Sequence, residues 1–214
     1  MKKTRPRTKP PEVRREEIMA AAERLFLAKG VAATTVDDVA AGADVAKGTV
    51  YLHFASRQAL LVALGERFAE RHLAHIKAAI STKAERDWPA KLAAWAEANV
   101  AFYLDSIELH DMLFHEAGAP TREGMVDNIA IDHLSGLLQA GAEAGAWSVD
   151  DPRFTAVFLF SGMHGIVDDA YLKEKRINKA RLVERLRSVC FRAVGLQSDD
   201  IRDLKTAKDR RNRA

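Results

Sequence analysis

A single cysteine, Cys190, stands among 214 residues. It excludes an intrachain disulfide, and a chain that holds together without one suits a reducing compartment. Proline is scarce, with six residues, and both proline and glycine sit mostly at the edges of periodic segments. Alternating apolar and polar runs are missing, which argues against β-strands. No stretch reaches about 18 apolar residues without charge, and the first residues carry no apolar run of the signal-peptide type. The expectation is a cytoplasmic protein with no membrane partner. A glycine-rich phosphate loop, a nucleophile–base pair and a compact His/Cys cluster are also missing. No catalytic residue, metal or cofactor is therefore assigned.

What is present is ordinary globular material, 48% hydrophobic and 29% charged. That suffices for one large domain or two small ones. The net charge is only +3, so its placement matters more than its size. Residues 1–15 carry Lys2, Lys3, Arg5, Arg7, Lys9, Arg14 and Arg15 against Glu12, a net +6. This arm alone exceeds the charge of the whole chain. Such an arm suits a polyanion, nucleic acid first; the plainer reading is a solubilising tail.

The apolar period is helical throughout, which predicts an all-α chain. The first segment, Arg14 to Lys29, aligns Ile18, Ala22, Leu25 and Phe26, and Gly30 ends it. Thr35 and Asp38 have the spacing of a capping box and open a short second helix through Val36, Val39 and Ala40. Gly42-Ala43-Asp44 breaks it, and Asp tolerates left-handed backbone. A third helix runs from Ala46 to about Leu52 or Phe54. Ser56 caps a long fourth helix, about Arg57 to Ile80, with Leu60, Leu64 and Phe68 on one stripe. Further helices are predicted from Asp87 to Ser106, Glu108 to His115, Glu123 to Ala144, Asp151 to Lys173 and Asn178 to Gly195. Gly118 to Thr121 reads as a loop. Asp151 before Pro152 is a strong helix start.

Three short helices, the last two joined by a tight turn, form a helix-turn-helix arrangement. In that arrangement the third helix enters the major groove. The stretch Val45 to Phe54, VAKGTVYLHF, has the chemistry for it. Lys47 is a long cationic donor, and Gly48 permits close approach to a nucleic-acid backbone. Thr49 and Tyr51 offer hydroxyls, and His53 adds a polar ring. Val45, Val50 and Phe54 pack inward. The competing reading is a solvated face on a structural helix.

These residues carry a family resemblance. The run from Thr34 to Leu60, with Leu25, Phe26 and Gly30 before it, resembles the DNA-binding domain of the TetR family of bacterial transcriptional regulators. Order, spacing and residue type agree at Thr34, Thr35, Val39, Ala40, Lys47, Gly48, Thr49, Tyr51, Phe54 and Leu60, across residues 13–62. The rest of the chain agrees only in helix count and length. The resemblance implies an N-terminal three-helix DNA-binding domain and a C-terminal helical bundle for ligand binding and dimerisation. It implies a non-enzymatic homodimeric repressor on a palindromic double-stranded DNA operator, released by a small-molecule effector. It implies DNA contact at Lys47, Gly48, Thr49, Tyr51 and His53, and phosphate contact at Thr35 and Arg57. Two positions depart from the pattern. Ala46 stands where the family often has a capping Ser. Asp37 stands where a basic or neutral residue is usual, and it is given no DNA role because a carboxylate repels phosphate.

The expected organisation is a basic arm at 1–12, the DNA-binding domain at 13–60, an effector and dimerisation domain at 61–197 and a polar tail at 198–214. Polar and aromatic residues on otherwise apolar helices are the pocket candidates: Trp95, Asn99, Phe102, Tyr103, His110, Phe114, His133, Phe158, His164 and Asp168. For each, core packing is the competing reading. Mostly apolar walls with a few polar anchors suit a hydrophobic or aromatic effector. For the dimer, the candidates are Val157, Phe158, Ser161, Gly162, Gly165 and Ile166 on one helix, and Leu182, Leu186, Val189 and Ala193 on the last. The alternative function is a helical-bundle enzyme or carrier with a non-specific basic arm.

Overall fold

The structure is a computed structural model that describes residues 9–116, 128–174 and 176–196. The arm before Lys9, the expected loop at 118–121, the start of the helix expected from Glu123 and the tail from 198 lie outside the described residues. All regular structure among the described residues is helical. In order these are α1 (Pro11–Lys29), α2 (Val36–Gly42), α3 (Lys47–His53), α4 (Arg57–Ser81), α5 (Trp88–Asp105), α6 (Ile107–Asp111), a π-helical turn (Met112–Glu116), α7 (Ile129–Glu143), α8 (Pro152–Lys173) and α9 (Lys179–Ala193). They fall into two compact units. One comprises 9–68 with 106–116; the other comprises 69–105, 128–174 and 176–196.

Most ends carry the caps that the sequence announces. The Thr35 hydroxyl accepts from Asp38 N–H at 3.1 Å while Asp38 accepts from Thr35 N–H at 2.9 Å, a complete capping box. Ser56 caps α4 by accepting from Ala59 N–H, and Asp87 caps α5 by accepting from Ala90 N–H. Asn128, Asp151 and Asn178 accept from the first-turn amides of α7, α8 and α9. Gly30 ends α1 at φ +83°. Helix α1 begins at Pro11, ahead of the expected Arg14, because a proline in the first turn gives up no hydrogen bond. The single helix expected over Glu108 to His115 instead divides into α6 and the π-helical turn.

Helices α2 and α3 have seven residues each, too few to persist alone in water. Burial holds them. Val39 and Ala40 of α2, and Val50 and Phe54 at α3, join Ile18, Met19, Ala22 and Phe26 of α1 and Leu60 and Leu64 of α4 as the core of the first unit. Each large side chain removed from water contributes about 1.5–3 kcal/mol, so several together outweigh the caps. Arg67 of α4 ties the α1 surface, donating to Glu16 at 3.2 Å and to Glu23.

In the second unit, α7 packs on α8 and α9 packs on α5. The fully buried Leu92, Trp95 and Asn99 line one face of α5, with Tyr103 a further turn on. Leu134, Leu137 and Leu138 of α7 are buried with Leu159, Phe160 and Met163 of α8. Leu182 and Leu186, expected at a dimer interface, are buried within this unit instead, as are Cys190 and Phe191. Of the other two residues of the expected α9 stripe, Val189 is half-buried and Ala193 is exposed. Burial pushes the Cys190 thiol up to about 12, so it is held protonated at neutral pH.

Candidate functional site

The turn between α2 and α3 fixes what α3 presents. Asp44 adopts φ +54°, and Asp44 N–H and Val45 N–H close back onto Ala41 and Ala40 carbonyls. With Val50 and Phe54 buried, the opposite side of α3 is left to solvent. Lys47, Gly48, Tyr51 and Leu52 are exposed there, and Thr49 and His53 are half-buried. Leu52, at 85% exposure, has no packing role within the described residues. Nothing lies within 4 Å of a Cβ built at Gly48, so no neighbour in the chain requires a glycine there.

Ala46 precedes α3 and supplies no side-chain cap, and Asp44 does not replace it. The first amides of α3 therefore have no side-chain acceptor. Thr35 is exposed at the start of α2, its hydroxyl engaged in the capping box. Arg57, at the start of α4, lies with its guanidinium carbon 6.0 Å from the centre of the Phe26 ring, and its Nε is buried without a hydrogen-bond partner. Arg15 lies likewise 5.1 Å over Phe54. Both guanidinium groups thus lie over aromatic rings of the buried core.

Asp37, excluded from a DNA role on charge grounds, has a partner inside the chain. Its Oδ2 accepts from Lys47 Nζ at 2.8 Å. The hydrogen bond to Asp37 and its negative charge hold the Lys47 pKa above the ordinary lysine value. Sequence spacing gives no sign of this pair, because ten residues and a turn separate the two.

The pocket candidates divide. His110 and Phe114 belong to the first unit, where both rings pack against Phe68 at 6.0 and 5.7 Å. Phe158 points outward, at 60% exposure, and lines no interior. The rest lie in the second unit. Tyr103 donates its phenol to Asp168 at 2.6 Å, and its ring meets His164 edge-on at 4.7 Å. His164 Nδ1 lies 2.9 Å from the Phe160 carbonyl, which only accepts, so that nitrogen carries the proton. Trp95 and Asn99 are fully buried. Asn99 donates Nδ2 to the Trp95 carbonyl at 2.8 Å, while its Oδ1 and the Trp95 Nε1 have no partner. His133 is half-buried with Nδ1 unpartnered, and burial together with Lys77 lowers its pKa.

Two further residues join this cluster. His72 of α4 stacks on Phe102 at 4.6 Å, and Phe160 lies 6.4 Å from the same imidazole. The signal for His72 was in the sequence: Leu60, Leu64 and Phe68 recur at steps of four, and the next steps are His72 and Ile76, both buried.

Among the described residues, no three His, Cys, Asp or Glu side chains converge to hold a metal, and no helix is long and apolar enough to cross a membrane.

Comparison with known proteins follows the same division. Residues 18–64 match the family described as bacterial regulatory proteins, tetR family. The HTH-type transcriptional regulator TtgR of Pseudomonas putida is 43% identical over 58 residues, 27% of this chain and 28% of that protein. The HTH-type transcriptional repressor KstR2 of Mycobacterium tuberculosis is 42% identical over 48 residues, 22% of this chain and 24% of that protein. The matches span between 19% and 34% of the curated relatives' own lengths. A bacterial regulatory protein in the tetR family from Rhodococcus RHA1 superposes with TM-score 0.63 at 25% identity, covering 86% of this chain and 98% of that one.

Proposed function

We propose, of a chain that belongs to the TetR family of bacterial regulatory proteins through its residues 18–64, that it is a sequence-specific DNA-binding transcriptional regulator and not an enzyme. The observation that carries this is the α2–turn–α3 unit with Lys47, Gly48, Thr49, Tyr51 and His53 on α3. On the side of α3 that Val50 and Phe54 leave to solvent, they offer a cation, two hydroxyls and a polar ring to phosphates and base edges. Thr35 and Arg57, at the starts of α2 and α4, suit the flanking phosphates.

The finer reading is a homodimeric repressor. A palindromic operator needs a two-fold protein whose two α3 helices stand about 34–36 Å apart. The outer stripe of α8 supports a dimer: Phe154, Phe158, Ile166 and Leu172 are exposed there, beside Gly162 and Gly165. An isolated subunit gains nothing from exposing four large apolar side chains on one helix. The effector is a small hydrophobic or aromatic molecule held in the second unit. Trp95 Nε1–H and Asn99 Oδ1 are its polar anchors, since buried polar atoms without partners are costly unless a ligand or water satisfies them. Such a ligand releases DNA if it prefers the non-binding arrangement by several kcal/mol.

Sequencing of genomic fragments captured on the purified protein tests this, with Lys47→Ala/Tyr51→Ala as control. A short palindrome enriched by the natural chain and lost in the control is expected. Equal, salt-sensitive capture of all fragments by both proteins would leave only non-specific binding and withdraw the proposal.

A further inference from the structure

The side of α3 turned away from the core has an apolar centre. Val50 is the buried side chain of this helix. Leu52 follows it by two residues, about 200° round the helix, so the two point in nearly opposite directions. Leu52 is accordingly 85% exposed, more than any other large apolar side chain among the described residues. Gly48 stands one turn before Leu52 on the same side, is exposed, and has open space where a side chain would be. The groups that can hydrogen-bond flank this strip. Thr49 and His53 lie to one side of it, Lys47 and Tyr51 to the other.

A helix that enters the major groove by this face brings Gly48 and Leu52 to the groove floor first. With seven residues, α3 is about 10 Å long and fits a groove about 12 Å wide. Leucine has no hydrogen bond to offer there. Donors and acceptors on the base edges lose water against it without replacement. The thymine C5-methyl is the one apolar group on those edges.

We propose that Leu52 is a specificity-determining residue that reads the C5-methyl group of a thymine in each half of the operator. This rests on the DNA-binding reading above. The flanking cation and hydroxyls hold the helix on the duplex, and Gly48 lets it sink until Leu52 reaches the methyl. Cytosine at the same place sets its N4 amino donor against leucine, which supplies no acceptor. Leu52 thus favours thymine twice, by covering its methyl and by leaving the other pyrimidine unsatisfied.

The test uses the full chain and a palindrome selected from a random library by the natural protein. Each thymine of the half-site is replaced in turn by uracil, in both halves together. This deletes the methyl and keeps every hydrogen-bonding group. Binding is titrated from low to high salt for the natural chain, Leu52→Ala and Leu52→Met, and thermal melting checks that each variant is folded. At one thymine position the natural chain should bind about fourfold more weakly for each methyl removed, as expected for one buried methyl group. Leu52→Met, which keeps a long apolar side chain, should show the same loss. Leu52→Ala should bind the thymine palindrome more weakly and change by less than about twofold on the same replacement, because its side chain ends short of the methyl. Its slope of log affinity against log salt should equal that of the natural chain, since no phosphate contact is removed. A selected half-site without thymine, no loss at any uracil position, or the same loss in Leu52→Ala would overturn the proposal and leave the DNA-binding reading standing. If the natural chain selected no palindrome, the sequence-specific reading itself would fall, and this proposal with it.

Discussion

A Cβ built on Gly141 would lie 2.0 Å from Cζ2 of Trp147. The indole lies against the last turns of α7, and its Nε1 donates to the Leu138 carbonyl at 2.9 Å. This contact closes α7 and fixes where the chain leaves towards α8. Gly141 is helical and its φ is ordinary, so its reason is proximity, not backbone freedom.

Gly141→Ala must therefore displace the Trp147 ring. Alanine normally favours a helix by about 1 kcal/mol over glycine, so an isolated helix would gain. Overpacking costs about 1–3 kcal/mol and wins here, because the opposing group is a rigid ring held at both ends. We expect a lower urea midpoint, with the tryptophan emission altered. An unchanged or raised midpoint would show that the ring moves freely.

Ala46→Ser should act in the opposite direction. The α3 start has no side-chain acceptor, and a serine hydroxyl supplies one, for about 0.5–2 kcal/mol. Equilibrium urea unfolding reads it directly. No gain would mean that the α3 start is not limiting for the first unit.

Arg67→Lys should weaken the first unit although the charge is kept. The planar guanidinium reaches Glu16 and Glu23 with separate nitrogens, and an ammonium cannot reproduce that fork. Arg67 is only 16% exposed, so solvent replaces little of what is lost. The expected loss is about 1–3 kcal/mol, seen as a lower melting temperature. A melting temperature equal to that of the natural chain would reduce the pair of contacts to ordinary surface charges.

Acid should destabilise the second unit through His133. Its pKa is lowered in the folded chain, first by burial and then by Lys77, so the unfolded chain binds the proton more readily. The sign follows: this contribution is fully present above the unfolded value of about 6.5 and is lost as pH falls through the lower folded value. His133→Gln should flatten the fall in denaturation midpoint between pH 7.5 and 5. The same slope in both proteins would place the acid sensitivity elsewhere.

Much of the chain was legible in order. The helix sequence follows from apolar period and caps, because those signals are local: Thr35 with Asp38, Asp151 with Pro152, Gly30 after Lys29. The α3 surface was legible for the same reason, since Val50 and Phe54 fix which side faces in. Which of the pocket candidates lie together was legible only in part. His110 and Phe114 look from the sequence like companions of Trp95 and Tyr103, yet they pack in the other unit. Phe158 looks like a wall and points outward.

The sequence by itself determined the helices of the described residues, their order, and a short helix with an exposed polar face between a left-handed Asp44 and a buried Phe54. These rest on contacts within a few residues, where spacing is geometry. Only the tertiary structure decided that Leu182 and Leu186 are intrachain core, that His72 joins Phe102, and that Asp37 holds Lys47. Each of these depends on which helix arrives opposite. Amphipathic period states that a face must be covered; the partner that covers it is chosen by packing across tens of residues.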